Sequence, residues 1–191
     1  MKMAKQPDIP WADLGAVAIS IDAANVIYSL RDLGWRMDYK RLKRFFDLHA
    51  QLASIYFYAA YFEGDDGRNN LFEMLSRKGF ILRTKAVKTI RTKTGILHKA
   101  NCDVELTMDA MTAHADFDAA VLMSGDSDFV PLVKFLQSQG KQVVVISTRG
   151  HVARELVDAA DYYGHFGQFQ EQWQQSTQPK NPAKRGSRCC F

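Results

Sequence analysis

Ala119-Ala120-Val121-Leu122-Met123-Ser124-Gly125-Asp126-Ser127-Asp128-Phe129-Val130-Pro131-Leu132 is the stretch on which the fold turns. Its unbroken apolar start suits a strand buried on both faces of a parallel sheet. Ser124, Gly125 and Asp126 then turn the chain. Ser127 or Asp128 can cap a helix carrying Phe129, Leu132, Val133 and Leu136. In open α/β sheets, ligands bind just past the carboxyl end of a strand. Helix capping alone is the plain account of two aspartates at that point; any other account needs support from elsewhere in the chain.

Working outward, Ala16–Ile21 reads as a first strand that delivers Asp22 at its end, with Asn25 three residues on. Asp38 caps a helix over about Tyr39–Leu48, with Leu42, Phe45, Phe46 and His49 at helical spacing. Ala53–Phe62 is a second strand and Arg68–Lys78 a short helix closed by Gly79. Phe80–Val87 begins as a third strand. Thr94-Gly95 can turn a hairpin between Lys88–Arg91 and Ile96–His98. A helix over about Asp103–His114 carries Val104, Met108 and Met111 along one face. After the opening stretch come a strand over Gln142–Ile146, a helix over His151–Ala159 and an aromatic closing segment, Tyr162–Phe166. This alternation predicts an α/β fold, a three-layer α/β/α sandwich with a mostly parallel central sheet. Residues 1–13 form a lead-in, 14–169 one domain, and 170–191 a Gln-rich, then basic, disordered tail.

The 191 residues are 47% hydrophobic and 24% charged, with a net charge of +4. That is enough chain for one domain with a full core. No apolar run approaches the roughly 18 residues of a membrane span, and Met1–Trp11 lacks a signal-peptide core. Three cysteines, two of them adjacent at Cys189 and Cys190, build no disulfide framework and no zinc spacing. The expectation is a cytoplasmic protein with no membrane partner.

Three segments offer carboxylates: Asp22 after the first strand, Asp126 and Asp128 after the strand at 119–123, and Asp103 opening a helix. If those two strands are neighbours, all four acids meet on one rim. Clustered carboxylates repel, and a cation such as Mg²⁺ or Mn²⁺ offsets that repulsion. Such an ion activates water or polarises a phosphoryl oxygen, the chemistry of phosphodiester hydrolysis. Asn25 is placed to hold a water or a carboxylate oxygen, and Lys99 to neutralise a phosphate. Read singly, Asn25 is equally a turn residue and Lys99 a solvated charge.

These residues resemble a family. Asp22-x-x-Asn25, Lys99-x-x-x-Asp103-Val104 and Ser124-Gly125-Asp126-Ser127-Asp128-Phe129, with Val-Pro-Leu following, are similar to the NYN domain of the PIN-like nucleases, in its LabA/DUF88 branch. The resemblance spans about residues 14–166. It implies an α/β/α fold and a metal-dependent ribonuclease. Asp22, Asp103, Asp126 and Asp128 would take the metal, Mg²⁺ or Mn²⁺, with Asn25 in the same cleft. One departure is visible: Asn101-Cys102 stands where many members have Gly-Val. Asp109 also fits the family pattern, but helical geometry turns it away from Asp103.

RNA is the expected partner. From Arg77 through Lys99 there are eight Lys or Arg and no acid, and phosphate-contacting cations supply most non-specific nucleic-acid affinity. Lys88, Arg91, Lys93 and Lys99, with Ser124, are the candidate substrate-binding residues. A solubilising hairpin is the competing account. Tyr28, Trp35 and Tyr61 could stack bases or simply pack. A homodimer is compatible with the sequence. The alternative function is a non-catalytic RNA- or nucleotide-binding module of the same fold. A haloacid-dehalogenase-type phosphatase would need an aspartate at position 24, which is Ala, and Asp22-Ala-Ala-Asn25 offers no glycine to a pyrophosphate. A receiver domain shares the acidic rim but not the basic ribbon.

Overall fold

A computed structural model describes residues 8–61, 66–92 and 95–176, with the side chains of 66–67, 88–92 and 95–99 excepted. Strands β1 (Ala16–Asp22), β2 (Gln51–Tyr61) and β3 (Ile81–Ala86) are joined by helices α1 (Ala23–Asp32), α2 (Tyr39–His49) and α3 (Asp66–Arg77). A separate antiparallel hairpin, β4 (Lys88–Thr92) with β5 (Gly95–Lys99), leads into α4 (Asp103–Thr112). Then follow β6 (Ala119–Met123), α5 (Val130–Ser138), β7 (Gln142–Ser147), α6 (Arg154–Ala159), β8 (Tyr162–His165) and α7 (Gln170–Trp173).

Six strands form one all-parallel sheet in the order β3-β2-β1-β6-β7-β8. The chain winds outward from β1 in one direction, then restarts at β6 and winds out in the other. Between β1 and β6 the winding reverses, and a crevice opens beyond the strand ends at such a reversal. The two strands run in register from Val17↔Ala119 to Ile21↔Met123. Asp118 clips their starts together: its carboxylate accepts from Ala16 N at 2.8 Å and its own N–H donates to Ala16 O at 2.7 Å. Gln142 N, opening β7, donates to Asp118 O at 3.1 Å.

The sheet is buried on both sides, so β6 and β7 are apolar without alternation. Val17, Ile19 and Ile21 pack into a core with α1, α2 and α7. Ala18, Ala120 and Leu122 face a second core with Leu106 of α4, α5 and α6. The result is a three-layer α/β/α fold.

Two expectations are corrected. Tyr162–His165 is a sixth sheet strand rather than a mere closing segment. Disorder does not begin at residue 170: Gln170–Trp173 is helical, Trp173 is fully buried, and its ring stacks on Phe169 at 4.2 Å. Residues 177–191 lie outside the described residues. The face of α4 bearing Val104 and Met108 points to solvent, those residues being 68% and 59% exposed, and Leu106 makes the buried contact.

Candidate active site

β1 ends at Asp22, whose carboxylate does two things at once. Oδ1 accepts from Asn25 N at 3.3 Å and so caps α1, while Oδ2 accepts from Ser124 Oγ at 2.9 Å. Ser124 is completely buried just past β6, the next position along the register from Met123. Its Oγ also accepts from Asp126 N at 3.4 Å. Asp126 Oδ1 in turn accepts from Asp128 N at 2.9 Å, capping the short 3₁₀ turn Ser127–Phe129. One hydroxyl therefore ties the two acidic strand ends together.

Gly125 is required here by space. A Cβ on it would lie 1.7 Å from the carbonyl oxygen of His151, and its own carbonyl accepts from Ala153 N at 2.9 Å. The loop after β7 thus seats directly on the acidic turn. Its other anchor is a hydrogen-bond contact of His151 Nε2 with the carboxylate of Asp32 at the end of α1, at 2.6 Å.

From the opposite wall comes α4. Asp103 sits in its first turn and accepts from Asn101 Nδ2 at 2.6 Å. Asp22, Asn25, Asp103 and Asp126 line one cavity of about 280 Å³, together with Tyr28, Tyr58 and Asn101. Asp128 stands just outside the lining. Among the described side chains, no Lys or Arg lines the cavity. Burial raises the Asp22 carboxyl above its ordinary range, opposed by hydrogen bonds from Asn25, Ser124 and Ala24, with the Asp126 charge adding to the rise. Asp103 is raised by burial first, then by the charges of Asp22, Asp126, Asp128 and Glu105.

The acids are therefore close enough to repel one another. No group of three or more His, Cys, Asp or Glu among the described residues is arranged to hold a metal ion. The carboxylate and amide donors that line the cavity nonetheless offer oxygen and carry net negative charge, with no balancing cation among the described side chains. That suits a small hard ion bound through one or two carboxylates and its own waters.

Of the basic ribbon, Arg83 and Lys85 on β3 are engaged by α4. Arg83 grips Asp109 through two hydrogen bonds of 2.8 and 3.1 Å, and Lys85 meets Glu105 at 2.7 Å. Tyr58 OH also donates to Asp109, at 3.1 Å, so Asp109 fastens α4 to the sheet. The side chains of Lys88, Arg91 and Lys99, and all of Lys93, lie outside the described residues. Trp35 is buried in the core, whereas Tyr28 is exposed at the cavity. One residue beyond the sequence-based set is Ser147, whose Oγ donates to Asn25 Oδ1 at 3.3 Å. Its signal in the sequence is slight: a lone polar residue closing the apolar run of β7.

An acidic cavity at the reversal point of a parallel sheet is thus the class of site. The family model of the NYN domain matches residues 16–166. The low amplitude and bright protein LabA of Synechococcus elongatus is 31% identical over 152 residues, covering 77% of this chain and 81% of that protein. The crystal structure of a protein of unknown function from Vibrio parahaemolyticus is similar with a TM-score of 0.70 at 25% identity, over 92% of this chain and 100% of the other. The chain belongs to the NYN domain family. Among the described residues, no helix is long and apolar enough to cross a membrane.

Proposed function

We propose that this protein is a metal-dependent ribonuclease, with Asp22, Asp103 and Asp126 as its metal-binding carboxylates. The observation that carries the reading is their convergence from three separate chain segments onto one cavity. When bound, Mg²⁺ or Mn²⁺ would supply charge neutralisation at the phosphate and a lowered water pKa. Asp22 is held by Ser124 and by the α1 amide, so its oxygens are oriented before any ligand arrives. Asn25, steadied by Ser147, would position a water or a phosphate oxygen. Asp128 would add field rather than a ligand, because it is not among the residues lining the cavity while its charge still acts on Asp103. Lys99 immediately precedes Ala100 of the cavity wall, which supports a phosphate-neutralising role for it and for Lys88, Arg91 and Lys93 of the same basic ribbon.

The second reading, an RNA-holding module that does not cut, is favoured by the lack of a three-carboxylate metal cage among the described residues. One assay separates the two. Single-stranded RNA incubated with Mn²⁺ is expected to be cleaved by the full chain, with cleavage stopped by EDTA. Asp126→Asn should slow cleavage by at least about 100-fold, since that carboxylate would meet the metal. Cleavage unaffected by EDTA or by Asp126→Asn would overturn the nuclease reading.

A further inference from the structure

α1 starts directly after Asp22, so its outward edge points past the acids. Ala23, Val26, Ser29 and Leu30 turn inward and are buried. Asn25 and Tyr28, three positions apart, share the edge that borders the cavity. Tyr28 is 59% exposed. Large aromatic surfaces elsewhere among the described residues are covered: Trp11, Phe45, Phe46, Phe169 and Trp173 pack on one another, and Tyr56 stacks on Tyr58. Among the described residues, Tyr28 takes part in no ring contact and no hydrogen bond. A bare aromatic face in the wall of a site rich in carboxylates lacks a packing purpose.

We propose that Tyr28 is the stacking platform for a nucleobase beside the phosphate held at the acids, and so the residue by which this cavity favours an unpaired strand. This deepens the preceding reading and rests on it in requiring that RNA enters this cavity. The rise along α1 from Asn25 to Tyr28 is about 4.5 Å, short enough for one nucleotide to touch both. A duplex keeps its base faces stacked on each other and cannot offer one to Tyr28, whereas an unpaired strand can. Stacking tolerates any base, so Tyr28 would select strandedness rather than sequence.

Binding, not turnover, tests this. In an Asp126→Asn background, affinities for a labelled single-stranded oligonucleotide and its duplex are read by fluorescence anisotropy in Mg²⁺. Tyr28→Ala and Tyr28→Leu should each weaken single-strand binding by about 5- to 150-fold, Tyr28→Phe by less than about twofold. Duplex binding should not move, and matching melting temperatures would show that the variants fold. An unchanged single-strand affinity, or an equal loss on the duplex, overturns the proposal, as does a parent that binds no RNA. A Tyr28-dependent loss together with no Mn²⁺-dependent cleavage by the unsubstituted chain would sustain the stacking role and remove the nuclease reading. Cleavage with a Tyr28-independent affinity would do the reverse.

Discussion

Asp22 and Asp103 carry a cost that their positions explain. Both carboxyls are raised by burial and by neighbouring negative charge, so the folded chain holds those protons more tightly than the unfolded chain does. Their stabilising contribution is full below the ordinary carboxylate pKa of about 4 and is lost as pH rises through the raised values. At neutral pH, Asp22→Asn should therefore melt at a higher temperature than the parent, with the difference closing as pH falls below about 4. Asn caps helices as well as Asp, and the Ser124 hydroxyl can turn to accept from its amide, so shape is conserved. Thermal melts from pH 3.5 to 7.5 measure this; a variant less stable at pH 7 would show that the repulsion is already relieved.

At the scale of elements, α7 is the informative one. Trp173 is fully buried and rests on Phe45, Phe46 and Phe169, while Arg41 of α2 donates to the Gln174 and Glu171 carbonyls at 2.8 and 2.6 Å. Trp173→Ala should cost about 3–5 kcal/mol, read from denaturant midpoints. A loss below about 1 kcal/mol would mean that α7 contributes little to the core. Composition hid this helix: five glutamines between Gln168 and Gln175 read as tail, and one tryptophan outweighs them by the apolar area it buries. β8 escaped for another reason. Four residues containing a glycine make a weak strand signal, and its pairing to β7 is a long-range fact. The strand ends that deliver Asp22 and Asp126 were legible because an apolar run followed by an acid and a cap is a local pattern. The exposure of Tyr28 and the role of Ser147 were not, since both depend on which strands neighbour one another. The exposed face of α4 follows from its tethers: Asp109 and Glu105 point to Arg83 and Lys85 on β3, so the helix lies on the sheet through Leu106.

Over the whole molecule, a chain of net charge +4 concentrates negative charge in one cavity. A divalent ion that binds there only when the chain is folded must raise the melting temperature. At 100 times its Kd, Mn²⁺ should add about 2.7 kcal/mol, or roughly 5–11 °C for a domain of this size. EDTA should reverse the rise, and Asp126→Asn should shrink it. An equal rise in that variant would put the ion elsewhere. Arrangement at this scale is written at the far end of the strands. Asp118 locks the starts of β1, β6 and β7 in step, and about 20 Å later that alignment is read out as Ser124 meeting Asp22. Sliding β1 by one residue would turn Asp22 toward the other layer and strand the hydroxyl without its partner. The clasp at the base of the sheet is thus a ruler for the chemistry at its top, touching no ligand yet deciding which side chains come face to face.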